Sequence, residues 1–89
     1  MAEEADKNIS DLRDKIDKLD VQIVELLNKR AELAFEIREL KNKEQIPVYD
    51  AEREEEIFRK VIDSSDGPLA DDILRCIYQE ILRSMKNFE

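Results

Sequence analysis

The apolar positions in the first half of the chain fall on one seam. Ile9, Leu12, Ile16, Leu19, Ile23 and Leu26 are followed by Arg30, then by Leu33, Ile37 and Leu40. The steps alternate between three and four, which is the spacing of one continuous helical face. The pattern predicts a first helix running without a breaker to about Lys43. Asn8 or Ser10 suits its N-cap, with residues 1–7 as a frayed tail, although Ala2–Lys7 also suits an extension of the helix. Residues 42–47 read as a loop, because Pro47 forbids uninterrupted helix there. Asp50 is a plausible N-cap for a second helix, with acidic residues in its first turn where the helix dipole favours them. That helix should end near Asp63. Residues 64–68 form a second loop, and Pro68 suits the first position of a third helix. Leu69, Ile73, Ile77, Ile81, Met85 and Phe88 then mark one side of a helix that reaches the C-terminus.

Length turns this pattern into a statement about assembly. A helix of about 35 residues is about 52 Å long at 1.5 Å per residue. A compact monomer of this size has a diameter of roughly 30 Å. The first helix therefore overhangs any globule its own chain can build, and its seam keeps the overhang apolar. The default partner for such a surface is a second copy. The expected fold is all-α, with three helices per chain and a long first helix. Residues 1–89 are expected to form a single helical domain within an intertwined homodimer.

Composition narrows the possible chemistry. One glycine and two prolines in 89 residues leave no room for strand-and-turn punctuation. A net charge of −8 argues against nucleic acid as a partner, since phosphate contacts need a basic surface. Histidine is absent, so imidazole catalysis and a His/Cys zinc site are excluded, and no metal is expected. The single Cys76 lies in an apolar stripe and reads as a buried structural thiol in a reducing cytoplasm. No apolar run has the length of a membrane span or a signal peptide. Acidic runs such as 54–56 and 71–72 read as solvated helix faces.

The charges that break the apolar pattern are the candidate site. Arg30 cannot shed its charge, so it has either a buried acidic partner or an anionic ligand. Lys41 comes eleven residues later, which returns it to within about 20° of the same direction on the helix. Arg30, Ala34, Ile37 and Lys41 thus line one strip, unless Lys41 snorkels outward at the helix end. On the second helix, Ile57 and Val61 mark the buried side. Stepping back from them places Arg53 and Glu54 in the first turn and Asp50 just before it. Arg13 lies seventeen residues before Arg30 and about 100° away around the helix. One copy of the helix cannot readily aim both at one spot, but two antiparallel copies can. Converging cations with two acids beside them suit a small polyanion held by bidentate arginine contacts. Without histidine, a thiol nucleophile or a metal cluster, the natural chemistry is a rearrangement driven by a fixed field and an imposed geometry.

In order and spacing, the segments LRDKID (12–17), LLNKR (26–30), IRELK (37–41) and PVYDAERE (47–54) resemble the all-helical chorismate mutases. The match covers about Ile9 to Val61 and continues more weakly through the third helix. The resemblance implies a domain-swapped dimer that converts chorismate to prephenate by a Claisen-type rearrangement, without a cofactor, in aromatic amino-acid biosynthesis. It implies that Arg13 enters from the partner subunit to bind a substrate carboxylate, while Arg30 binds a carboxylate within its own chain's site. Lys41 would donate to the ether oxygen as the C–O bond breaks. Arg53 would hold the carboxylate end, and Glu54 would accept from the substrate hydroxyl with Asp50 nearby. The family places a glutamine near the end of its last helix as a second donor to the ether oxygen, and Glu89 stands there in this chain. An ionised carboxylate cannot donate, so Glu89 either serves as a protonated acid or is a solvated terminus. A small polar residue about four positions earlier falls on Ser84 or, in the stricter register, on Met85.

Two other readings share parts of this pattern. Isochorismate-pyruvate lyases have the same fold, but Asp50 and Glu54 look like the mutase acids. A non-catalytic dimerising or regulatory helical module would be expected to lack Arg30 or Lys41, and both are present.

Overall fold

The computed structural model describes residues 2–89. It consists of three α-helices in the order α1 (Ala2–Lys43), α2 (Ala51–Asp63) and α3 (Asp71–Ser84), with no strand among the described residues. The chain divides into two compact units, Met1–Arg30 and Ala31–Glu89, and α1 crosses the division. Among the described residues, no helix is long and apolar enough to cross a membrane.

α1 begins at Ala2 rather than at an Asn8 or Ser10 cap, so residues 2–7 are helix and not a tail. Met1 lies outside the described residues. Alanine and glutamate are good helix formers, and Glu3 and Glu4 place negative charge in the first turn. In the first unit the seam residues Ile9, Leu12, Ile16, Leu19, Ile23 and Leu26 are 45–64% exposed. A helical face this apolar and this bare is a surface that association would cover.

The exit from α1 is a left-handed turn without glycine. Gln45 adopts φ 57°, Gln45 N–H donates to Asn42 O at 3.3 Å and Ile46 N–H donates to Lys41 O at 2.7 Å. These two bonds satisfy carbonyls left open by the last turn. α2 starts where expected. The Asp50 side chain accepts from Arg53 N–H at 3.1 Å, satisfying one of the open N–H groups of the first turn.

α3 differs from expectation at both ends. Pro68 precedes the helix instead of opening it. Ala70 is the extended N-cap residue, and Asp71 and Asp72 supply the acidic first turn. The helix also stops at Ser84 rather than reaching the C-terminus. Lys86 and Asn87 both take φ 57°, and Asn87 N–H donates to Leu82 O at 2.8 Å. The reversal turns Phe88 inward, where its ring is 5% exposed and meets Phe35 edge to face at 6.1 Å. Burying that ring outweighs the strain of a left-handed lysine.

α2 and α3 pack against each other through Ile57, Phe58 and Leu82, with Val61 and Tyr78 alongside. The facing strip on α3 is therefore Leu74, Tyr78 and Leu82, spaced at i, i+4 and i+8. The expected stripe runs beside it: Leu69, Ile73 and Ile77 are exposed, Ile81 is half-buried, and Met85 and Phe88 are buried. Cys76 is exposed as well, not buried, because it lies about 200° around the helix from Leu74. Arg75 closes the outer edge of the pair. Its guanidinium lies 4.3 Å from the Phe58 ring centroid and reaches Glu55 at 2.8 Å.

Leu82 is 1% exposed at the centre of this packing. Leu82→Ala should destabilise the protein by about 3 kcal/mol in urea unfolding, whereas Cys76→Ser should shift stability by less than about 0.5 kcal/mol.

Candidate functional site

The candidate residues are distributed over both units. Arg13 and Arg30 lie on α1 in the first unit; Arg13 is exposed and Arg30 half-buried. Lys41, Asp50, Arg53, Glu54, Ser84, Met85 and Glu89 lie in the second. Within the second unit, three pieces of chain supply these groups: the last turn of α1, the first turn of α2 and the turn after α3.

Lys41 is half-buried, and its Nζ donates to Val48 O at 2.9 Å. The lysine thereby ties the α1–α2 loop back onto the helix that precedes it. An ammonium carries three donors, so this bond leaves capacity for a ligand. Asp50 is occupied as the N-cap, and its carboxylate shapes the backbone of the first turn of α2. Arg53 is half-buried and held at both ends of its guanidinium. Its Nε donates to the main-chain oxygen of Glu89 at 3.1 Å, and Nη1 donates to Glu56 Oε1 at 2.7 Å. Glu56 also receives Lys60 Nζ at 3.1 Å. The hydrogen bond and charge of Lys60, followed by the Arg53 hydrogen bond, hold the Glu56 carboxyl below its ordinary value of 4.5.

Glu54 is half-buried, and both its oxygens accept hydrogen bonds. Tyr49 Oη donates to Oε2 at 3.3 Å. The Asn87 amide nitrogen, in the orientation its neighbours dictate, donates to Oε1 at 2.7 Å and to Leu82 O at 3.2 Å. The charge of Glu54, above all, raises the Tyr49 phenol above its ordinary 10.0. Glu89 is half-buried with Oε2 shielded from solvent, and its main-chain oxygen is the acceptor for Arg53. Of the two residues compatible with the family register, Met85 is 7% exposed and Ser84 is exposed.

Tyr49, Asn87 and Phe35 contribute to this region although the apolar and charge patterns did not single them out, and Phe88, placed on the apolar stripe of the third helix, contributes from a turn instead. Asn87 had a readable signal, since asparagine tolerates the left-handed conformation that ends a helix. Phe88 had one in the apolar stripe, but it is buried through that turn and not through a continued helix. Arg38 adds a cation over the Phe88 ring, 4.8 Å from its centroid.

Comparison with known proteins agrees with this arrangement of helices. The family described as chorismate mutase type II matches residues 12–89. The chain belongs to the chorismate mutase type II family. Among solved structures it is similar to chorismate mutase (Form II) from Thermus thermophilus. The TM-score is 0.87 at 31% identity, covering 90% of this chain and 91% of that one. It is 37% identical over 87 residues to the bifunctional chorismate mutase/prephenate dehydratase of Aquifex aeolicus (strain VF5), covering 93% of this chain and 24% of that protein. It is 36% identical over 55 residues to the chorismate mutase of Methanocaldococcus jannaschii, which covers 62% of this chain and 56% of that one. The chain thus spans about a quarter of the length of the bifunctional relatives it matches.

The Glu56 contacts give this chorismate mutase family member a testable acid limb. A depressed carboxyl contributes stability above its unfolded value and loses that contribution as pH falls through the folded value. The melting temperature of Glu56→Gln should lie below that of the wild type at pH 7. The gap should close as pH drops below 4.5. Parallel melts from pH 7 to pH 3 measure this directly.

Proposed function

We propose that this chain, as one chorismate mutase domain, catalyses the rearrangement of chorismate to prephenate, and that it does so as an intertwined homodimer. The observation that carries this reading is the match, nearly whole chain on whole chain, to the Thermus thermophilus chorismate mutase. The charge pattern supports it, because Arg30, Lys41 and the Asp50/Arg53/Glu54 group supply what a dicarboxylate undergoing an internal rearrangement requires. The bare seam of the first unit supports the dimer.

Chorismate rearranges by breaking an ether C–O bond while a new C–C bond forms, and negative charge grows on the ether oxygen. No proton has to move and no covalent enzyme intermediate is needed. The protein's task is to hold the substrate in a compact reactive conformation and to place donors where the charge develops. In this proposal Arg30 binds one carboxylate, and Arg13 of the second copy binds the other. Lys41, already fixed to the loop by its bond to Val48 O, donates to the ether oxygen. Arg53 exchanges part of its contact with the Glu89 main-chain oxygen for the substrate's carboxylate end. Glu54 accepts from the ring hydroxyl, and Asp50 keeps the first turn of α2 in place. Buried Met85 fits the wall of such a pocket better than exposed Ser84. Glu89 stands as the second group facing the ether oxygen and assists only as a donor.

Assaying chorismate disappearance with purified protein tests the activity, and sedimentation tests the assembly. Wild-type protein should turn chorismate over and sediment as a dimer. Arg30→Ala should lose at least about a hundredfold in kcat/KM, as expected when a buried charge-assisted contact to the reacting molecule is removed, while remaining a folded dimer. A folded monomer at micromolar concentration, or a fully active Arg30→Ala, would contradict the reading.

A further inference from the structure

Glu54 is the only acid proposed to touch the substrate through its hydroxyl, and a carboxylate on a long side chain is useful there only if it is held still. Two neutral donors from opposite sides of the second unit grip it. Tyr49 comes from the loop before α2 and reaches Oε2 at 3.3 Å; Asn87 comes from the turn after α3 and reaches Oε1 at 2.7 Å. The three residues border a common open cleft of about 360 Å³, with Phe58 and Leu82 among its other walls. We propose that Tyr49 and Asn87 are positioning residues that clamp the Glu54 carboxylate for hydroxyl recognition. This rests on the reading of the chain as a chorismate mutase.

The chemistry of the two donors suits the task. Each carboxylate oxygen has two acceptor sites, so a carboxylate that accepts once on each side can still receive a substrate hydroxyl. Neither donor is ionised at neutral pH, so the clamp fixes geometry without neutralising the acid. The elevated Tyr49 phenol keeps its proton, and with it the donor role, across the whole working range. Asn87 is tied in turn by its second donated bond to Leu82 O and by the left-handed turn that its own backbone forms. Lys41 anchors the neighbouring carbonyl of Val48, which steadies the loop bearing Tyr49. Tyr49 is 60% exposed, so its ring contributes little to the core, and loss of its hydroxyl is a clean test.

The substrate hydroxyl is not a reacting group, so its recognition is made equally in the ground state and the transition state. Losing such an interaction raises KM and leaves kcat unchanged. A merely structural role would instead reduce the folded, active fraction, lowering apparent kcat at constant KM. Steady-state kinetics with chorismate on the full chain, accompanied by thermal melts, separates the two. Tyr49→Phe should raise KM about three- to tenfold, the range for one ordinary hydrogen bond at an exposed site. Asn87→Asp should raise KM further, because it exchanges a donor for a like charge beside Oε1. In both variants kcat should stay within about twofold of wild type. An unchanged KM in Tyr49→Phe with an active wild type, or a loss confined to kcat, overturns the clamp and leaves the mutase reading standing. A wild type that does not consume chorismate overturns both.

Discussion

A helix face must be covered if it is aliphatic, and it must supply a counter-charge wherever it carries a guanidinium. The seam of α1 makes both demands. Its apolar residues in the first unit are about half exposed within a single chain, and Arg30 places a permanent positive charge on the same line. α2 and α3 are 13 and 14 residues long, and they bury their own apolar faces chiefly against each other. One chain therefore leaves its longest hydrophobic surface bare. The proposed dimer answers the first demand, seam burying seam, and in the proposed site the Arg30 charge meets a substrate carboxylate.

The second unit shows how short elements can hold polar groups without an extended core. Lys41, Asp50 and Arg53 there are each fixed by a bond to a neighbouring turn or loop, whereas Met85 is held by burial. Lys41 holds the α1–α2 loop, Asp50 holds the start of α2, and Arg53 holds the end of the chain. The turn after α3 matters most, because three consecutive residues in it serve three different partners. Asn87 reaches Glu54, Phe88 packs on Phe35, and the Glu89 main-chain oxygen receives Arg53. The mechanics of the site thus reside at the ends of helices, where backbone groups are already open to outside partners.

The helical architecture was legible because its signals are local and repeated. The three-four spacing of the seam, the Asp50 cap and the residues around Pro47 and Gly67 mark α1, α2 and their connections with small boundary errors. The charged candidates were legible for the same reason, since a charge at an apolar position stands out against a regular pattern. What could not be read depends on tertiary packing. The stop at Ser84 follows from the burial of Phe88, which no local propensity encodes. The exposure of Cys76 follows from which of two adjacent apolar strips on α3 meets α2, and both strips obey helical spacing equally well. Tyr49 looked like an ordinary loop residue until Glu54 was placed beside it.

The central claim is that each site is assembled from two chains, with Arg30 from one and Arg13 from the other. Subunit mixing tests it most directly. Arg13→Ala and Arg30→Ala proteins are each assayed alone, then unfolded together in equal amounts and refolded before assay. A mixed dimer has one site lacking both arginines and one site with both intact. Random pairing should therefore restore about a quarter of wild-type activity from two nearly inactive parents. A mixture no more active than its parents would contradict the account.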